Sequence, residues 1–359
     1  MGQPGVIFGG PSSEHDVSIL TALPAARTLP DATAIYWSKT GDFFEVDTSL
    51  EAKDFLDGAP RRSTPLRLVA GEGFVAKRRS LSLAGLVNCC HGGPGEDGTL
   101  QAALDVARIA YTGPSAAGAA LGMDKLAFGT VMTAAGLPSL PRALLRPGAK
   151  LQFAGPYIVK PRFGGSSIGI EVVEDAATAL ALLGSSPHLR AGAVVEPYLG
   201  NVADLEVAAR RYPEVQLSAV ARALPAGASS GSAIYGYADK YLGGEGMASA
   251  PRELPARLPA KLEARLREMA KAVAEVAGVR GVARVDFLAD GEKLYVNEIN
   301  TVPGSLARYL WVGEHEVPFA RLLEDMLAEA RERPSHAWTT VGADGSALRA
   351  AGSIAGKLG

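Results

Sequence analysis

The stretch Glu298-Ile299-Asn300-Thr301-Val302-Pro303-Gly304, read with Arg284-Val285-Asp286 upstream, decides how this chain is organised. It places two carboxylates, an amide and an arginine on two adjacent strand candidates. Paired carboxylates with an amide oxygen suit Mg²⁺, a hard cation that takes oxygen ligands and usually also binds substrate phosphates. An arginine fork beside them suits a carboxylate or an oxyanion. The combination points to metal-assisted phosphoryl transfer to a small acid.

Strand parity sharpens that reading. Arg284 and Asp286 are two apart and share a face, as do Glu298 and Asn300. Cross-strand partners also share a face, so the loop decides whether the two pairs meet. A two-residue Asp290-Gly291 loop would put Asp286 and Glu298 on opposite faces. A three-residue loop with Gly291 in the left-handed conformation would bring all four side chains to one face. An odd loop is therefore expected. The alternative is an ordinary hairpin with polar residues on its wet face.

A chain of 359 residues implies two or three domains. Apolar content of 47% and charged content of 21% are ordinary for a globular protein. A net charge of −2 gives no electrostatic case for nucleic acid or an anionic membrane. Sparse aromatics without a basic run give none for base stacking. The only cysteines, Cys89 and Cys90, are adjacent and follow the apolar Leu86-Val87, so two buried thiols at a strand end are expected rather than a disulfide. The first residues lack the charged and apolar regions of a signal peptide, and no apolar stretch reaches a membrane span. The expectation is a soluble, cytoplasmic protein with neither nucleic-acid nor membrane partner.

Strand candidates at Val6–Phe8, Ala34–Trp37 and Leu86–Asn88 alternate with helical stretches, one over Thr99–Arg108, which argues for a parallel α/β sheet. Ser13, with Asp16 three residues on, is placed to cap the first helix. Ala117–Ala135 reads as one Ala-rich helix, ended by Pro138 and Pro141. A strand at Tyr157–Lys160 precedes the loop Gly164-Gly165-Ser166-Ser167-Ile168-Gly169, and another strand covers Ala193–Glu196. Leu205–Ala209 and Gln216–Ala221 read as antiparallel strands. Leu262, Leu266, Met269, Val273 and Val276 mark one buried helical face. Residues after about 335 read as a tail with one short helix near Ser346–Ile354.

Lys160, at a strand end before that Gly/Ser loop, can place a point charge on a phosphate whose oxygens the loop N–H groups approach. No Gly-Lys-Ser/Thr opens a helix here, so this is not a P-loop, and the N-terminal glycines miss the dinucleotide fingerprint. His91, in the glycine-rich turn after a strand, is placed to touch a small substrate. Glu14, at the start of the first helix, either complements the helix dipole or binds a substrate ammonium. Lys240-Tyr241 lies in a long Gly/Ser/Tyr stretch, 227–246, of the kind that often forms lids.

Taken in order, these pieces resemble the D-alanine–D-alanine ligase family of the ATP-grasp superfamily. The matching strings are Phe8–Glu14 with Val17-Ser18, His91–Gln101, Tyr111–Gly113, Met123–Lys125, Ile158–Gly169, Lys240–Leu242, Gly281–Asp286 and Glu298–Gly304. They span roughly residues 5–330. The resemblance implies a three-domain ATP-grasp architecture of α/β class. An N-terminal substrate-binding parallel α/β domain (1–119) precedes two α+β domains that clamp ATP, a central one (120–208) and a C-terminal one with the metal site (209–335). A tail (336–359) follows.

The resemblance further implies that Lys125, Lys160 and the loop residues Gly165, Ser166 and Ser167 hold the ATP phosphates, and that Glu196, Pro197 and Leu199 face the adenine. The ribose carboxylate falls on Asp204, where Glu is usual. Two Mg²⁺ ions, or Mn²⁺, would bind Asp286, Glu298 and Asn300. Glu14, linked to Ser166 and Tyr241, would hold the first ammonium. Val17, His91 and Ser305 would line the amino-acid site. Arg284 and the Gly304 N–H would stabilise the oxyanion, and Lys240 would reach the γ-phosphate or the acceptor carboxylate. Tyr241 favours an amine acceptor over a hydroxy acid. The implied reaction is ATP-dependent joining of two D-alanines through an acyl phosphate, by a homodimer. The chain departs from the family after Gly304, where Ser305 follows at once and the segment turns apolar; Arg308 there is a candidate carboxylate anchor. The alternatives are a ligase for a different amino-acid pair and a non-catalytic ATP-binding module.

Overall fold

The computed structural model describes residues 2–224, 250–336 and 338–351. The first seven strands form one sheet in the order Arg79–Ser80, Gly73–Ala76, Thr64–Val69, Phe43–Val46, Thr33–Trp37, Gln3–Gly9, Leu83–Asn88. Only the last three are mutually parallel. The others run antiparallel, since links such as that between Ala76 and Arg79 are too short for a crossover. The expected parallel sheet is thus the inner half of a mixed one. Val6 and Phe8 pack under the helix His15–Thr28, while Ile7 packs with Leu100 and Leu104 of the helix Thr99–Val106 on the other face. A strand covered on both faces reads as a continuous apolar run, as Val6–Phe8 does. The first helix begins at His15 without a side-chain cap. The expected Ser13 cap is not formed; the Ser12 hydroxyl instead accepts the Glu14 N–H at 3.1 Å.

The expected Ala-rich helix is two, Ala116–Met123 and Lys125–Ala134. Asp124 breaks it: its carboxylate accepts the N–H groups of Leu126 and Ala127 and caps the second helix. Lys125 therefore opens a helix of its own. A four-stranded antiparallel sheet follows, ordered Glu171–Val173, Tyr157–Pro161, Ala193–Pro197, Ala143–Leu145.

The third sheet has Ala203–Arg210 and Val282–Asp290 at its centre, with Lys293–Asn300 beyond. Ala203–Arg210 pairs along its whole length in this sheet, so the division drawn at 208 runs through one of its strands. The helix Ala260–Val276 buries Leu266, Met269, Ala270, Val273 and Ala274; Val276, counted on that face from spacing, is 40% exposed. The helix Phe319–Glu332 returns to the first domain, where Leu322, Leu323, Met326 and Leu327 join the Val6–Phe8 core. A short helix at Ser346–Ala350 lies in the tail. Among the described residues no helix is long and apolar enough to cross a membrane. Both cysteines are free and buried.

The hairpin corrects one expectation and keeps its consequence. Asp290 pairs with Lys293, leaving Gly291-Glu292 as a two-residue loop with Gly291 at φ 59°. The odd loop is absent. Asp286 nonetheless faces Glu298, and Arg284 faces Asn300. The register shifts beyond Asp286, where Phe287 faces Val296, so Asn297 is an extra residue in a β-bulge. The bulge changes strand parity by one, as a third loop residue would have done.

Candidate active site

Two clefts meet in this region. One is lined by Lys160, Glu196–Leu199, Asp204, Asp286 and Asn297. The other is lined by Glu14, His91, Glu96, Lys125, Gly164–Ser166, Asn300 and Gly304. Arg284 and Glu298 line both.

On the first side, Lys160 lies 2.9 Å from Glu196 Oε2 and 3.3 Å from Asn297 Oδ1. Burial pushes the Glu196 carboxyl up, but Lys160 and Arg142 outweigh it and hold the group below the usual carboxylate range. Glu196 is thus an ionised anchor for cations, and Pro197–Leu199 present the edge beyond it. Proline there accepts through its carbonyl and donates nothing. Where the second cleft begins, Lys125 donates to the Gly164 carbonyl at 2.5 Å and lies 3.5 Å from Glu298. Ser166 and Ser167 of the glycine loop both adopt left-handed backbone, φ 54° and 58°, a conformation costing about 1 kcal/mol per residue. The Ser166 hydroxyl donates to Glu14. A Cβ on Gly165 would sit 3.1 Å from Glu14 Oε2, so glycine permits that close approach.

On the second side, the sequence reading missed Glu96. Its carboxylate accepts the N–H groups of Gly92 and Val302 at 3.0 and 2.9 Å and the Thr301 hydroxyl at 3.3 Å. Burial, with Glu14 nearby, pushes it up to about 7. Glu96 lay inside the His91–Gln101 string, but nothing local separated it from a surface acid. His91 is neutral, pushed down to about 4 by burial. Its Nδ1 lies 2.7 Å from the Val302 carbonyl and its Nε2 2.7 Å from Thr21 Oγ1, which also accepts the Ser305 N–H at 3.0 Å. The carbonyl requires a proton on Nδ1, so Nε2 accepts from Thr21. Both ring nitrogens are therefore committed to holding Val302–Ser305. Ser305 lines neither cleft, and Val17 is buried within the helix that follows Glu14.

Arg284 forks onto Asp286, with Nε and Nη2 each 2.7 Å from a carboxylate oxygen. Its Nη1 donates to the Tyr309 hydroxyl at 3.3 Å and lies 3.7 Å from Glu206. Burial pushes Asp286 up to about 7 in spite of Arg284, with Glu206 and Glu298 adding to the rise. Arg284 sits between Glu206 and Asp286, and Asp286, Glu298 and Asn300 offer hard oxygen donors on one face. That donor set fits Mg²⁺. Among the described residues no three His, Cys, Asp or Glu side chains are grouped as a metal cage; in such a set the third donor would be the Asn300 amide, whose Nδ2 donates to Asp286 at 3.0 Å.

Gly304 opens a turn in which Ser305, Leu306 and Ala307 are all left-handed, φ 54°, 49° and 51°. Leu306 and Ala307 are held by burial in the first core. Arg308 lies over the Phe319 ring, 5.5 Å from its centre, and lines neither cleft. Lys240 and Tyr241 lie outside the described residues.

A glycine/serine loop between two α+β lobes, facing paired acids on an antiparallel hairpin, defines an ATP-grasp carboxylate–amine ligase. Residues 3–114 match the family described as D-ala D-ala ligase N-terminus, and residues 121–327 match D-ala D-ala ligase C-terminus. The chain belongs to the D-alanine–D-alanine ligase family. It is 30% identical to the D-alanine--D-alanine ligase of a Nitratiruptor species, over 90% of this chain and 92% of that protein. It is 30% identical to that of Chlorobaculum tepidum, over 92% and 97%. Among solved structures it resembles the Helicobacter pylori D-alanine–D-alanine ligase, with TM-score 0.73, 25% identity and coverage of 94% and 100%. It shares its fold with the VanG D-Ala:D-Ser ligase from Enterococcus faecalis, with TM-score 0.74, 22% identity and coverage of 92% and 99%.

Proposed function

We propose that this enzyme joins two D-alanine molecules into D-alanyl-D-alanine for peptidoglycan precursor synthesis, converting one ATP to ADP and phosphate. The observation that carries the proposal is that the cleft of Lys160 and Glu196 and the cleft of Glu14 and His91 share Arg284 and Glu298. A γ-phosphate delivered along the first and a carboxylate held in the second would meet there.

In this reading Lys125, Lys160 and the Gly164–Gly169 loop hold the ATP phosphates, with adenine against Pro197–Leu199 and ribose near Asp204. Mg²⁺, as two ions, would be held by Asp286, Glu298 and Asn300; it neutralises phosphate charge and orients an in-line transfer. Glu14, supported by Ser166, takes the ammonium of the first D-alanine. Its carboxylate oxygen attacks the γ-phosphorus, and ADP leaves. The neutral amine of the second D-alanine attacks the acyl-phosphate carbonyl. Arg284 and the Gly304 N–H stabilise the oxyanion, and phosphate departs as the amide forms. Lys240 and Tyr241 would complete the site from the 227–246 stretch. We place the enzyme in the cytoplasm as a homodimer, and divide it into an N-terminal domain, a central domain ending before Ala203, a C-terminal domain to about 335 and a tail.

The segment after Gly304 supports one second reading, a different acceptor. The test is phosphate release with ATP and Mg²⁺ across D-alanine, D-serine, D-lactate and L-amino acids, with products identified by mass. D-alanyl-D-alanine as the main product supports the proposal. A mixed dipeptide or depsipeptide as the main product would move the acceptor while keeping the reaction, and turnover only with L-amino acids would sink the assignment.

A further inference from the structure

We propose that Arg142 is a positioning residue for the nucleotide: it holds one oxygen of Glu196 so that Lys160 keeps its charge for the phosphates. This rests on the reading of Lys160 as a phosphate ligand.

Arg142 belongs to none of the strings that carry the family resemblance and lies one residue before the short strand Ala143–Leu145. Its side chain is 4% exposed. The guanidinium is fixed at three points. Nη1 donates to the Lys125 carbonyl at 2.7 Å, Nη2 donates to the Asn297 carbonyl, and Nε lies 2.8 Å from Glu196 Oε1. The Nε–H is not aligned on that oxygen, so the last contact is ionic rather than a hydrogen bond. Arg142 therefore joins the start of the Lys125 helix, the Glu196 strand and the bulge that sets the register of Asp286 and Glu298. Room is made for it: a Cβ on Gly129 would lie 2.7 Å from Arg142 Cδ.

Charge bookkeeping gives the arrangement its purpose. Glu196 Oε2 takes Lys160 at 2.9 Å while Oε1 takes Arg142, and all three side chains are at least nine-tenths buried. Two cations share one anion, so the cluster of Arg142, Lys160 and Glu196 carries a net positive charge. Without Arg142 the buried Glu196 would have Lys160 as its one close cation among the described residues. Moving Lys160 to a phosphate would then strand a buried carboxylate, a costly step. With Arg142 in place, Glu196 stays paired when Lys160 turns to the nucleotide.

The test is steady-state kinetics on the full chain with ATP and Mg²⁺ at saturating D-alanine. Arg142→Met is expected to raise KM for ATP about tenfold, the equivalent of about 1.4 kcal/mol, with a smaller change in kcat. Glu196→Gln removes the anion that captures Lys160, and measured against Glu196→Gln alone the double variant is expected to recover most of that loss. A residue that served packing alone would show no such rescue. An unchanged KM in Arg142→Met, or no recovery in the double variant, overturns the inference. If Arg142→Met does not fold, Arg142→Lys serves. It keeps the charge and loses the fork, so KM is expected within about twofold of wild type, and a tenfold rise overturns the inference. Lys160→Met separates the premise: if it leaves KM for ATP unchanged, the phosphate role of Lys160 fails; if it raises KM while Arg142→Met does not, the inference alone fails.

Discussion

Asp286 stands directly opposite Glu298 although the turn joining their strands has only two residues, because Asn297 is extruded as a bulge between them. The bulge brings the two acids together and also aims the Asn297 amide at Lys160 and its carbonyl at Arg142. One irregularity thus ties the proposed metal-ligand pair to the proposed phosphate side. Glu298→Gln keeps the shape and removes one charge from the pair. Phosphate release is expected to fall by about two to three orders of magnitude, the usual loss when a group aligned with the transferring charge is removed. The rise in melting temperature caused by ATP with Mg²⁺ should shrink, because that shift reports affinity for the native state. An undiminished Mg²⁺-dependent shift would remove Glu298 from the proposed metal site.

Thr21 links the first helix to the segment proposed to hold the oxyanion, accepting the Ser305 N–H and donating to His91. Thr21→Val is nearly isosteric and leaves the buried His91 Nε2 and the half-buried Ser305 N–H without that partner. A stability loss of about 1–3 kcal/mol is expected, measured by urea unfolding. The kinetic loss should fall mainly on kcat, since the Val302–Ser305 segment carries the Gly304 N–H. Thr21→Ser retains the hydroxyl and should restore both quantities. A kcat loss equal in the Ser and Val variants would contradict the relay.

Glu96 gives a pH dependence with a definite sign. Its folded-state value, about 7, lies above its ordinary 4.5, so the protonated acid is the form the fold favours. Its contribution is fully present below about pH 4.5 and is lost as pH rises through 7, by an amount on the order of 3 kcal/mol. Glu96→Gln is neutral throughout. Its stability should depend less on pH than the wild type's between about pH 5 and 7.5, the difference widening toward 7.5 in favour of the variant. Parallel wild-type and variant curves across that window would show that Glu96 titrates as an ordinary acid.

What could be read from the sequence was local. Val6–Phe8, the Gly164–Gly169 loop and the Arg284–Asp286 and Glu298–Asn300 pairs carry their chemistry within a few residues, and their strand assignments follow from apolar runs and alternation. The bulge at Asn297 depends on how two strands pair beyond the turn, and either strand alone reads as regular. The Thr21–Ser305 contact spans 284 positions, and Arg142 reads as a loop residue between Pro141 and a short strand. Glu96 differs from an exposed acid only by what folds over it. The break at Asp124 was within reach, since a capping Asp before a new turn is a local signal that the Ala-rich run obscured.

The departure after Gly304 ends in a contact that spacing did not reveal. The turn carries Tyr309 back to Arg284, and its hydroxyl accepts from Nη1 at 3.3 Å. Burial pushes that hydroxyl up to about 12, so it remains protonated near neutrality. It can therefore brace the guanidinium without competing for its charge. Tyr309→Phe removes the brace and leaves Asp286 and Glu206 as the groups that hold Arg284. A hydrogen bond to a charged group contributes roughly 1.5–3 kcal/mol, so a loss of about tenfold or more in kcat/KM for the second D-alanine is expected. KM for ATP should stay close to the wild-type value, because the proposal assigns Arg284 to the oxyanion and gives the ATP phosphates to Lys125, Lys160 and the Gly164–Gly169 loop. Equal losses toward ATP and D-alanine would instead mark Tyr309 as a general support of the turn.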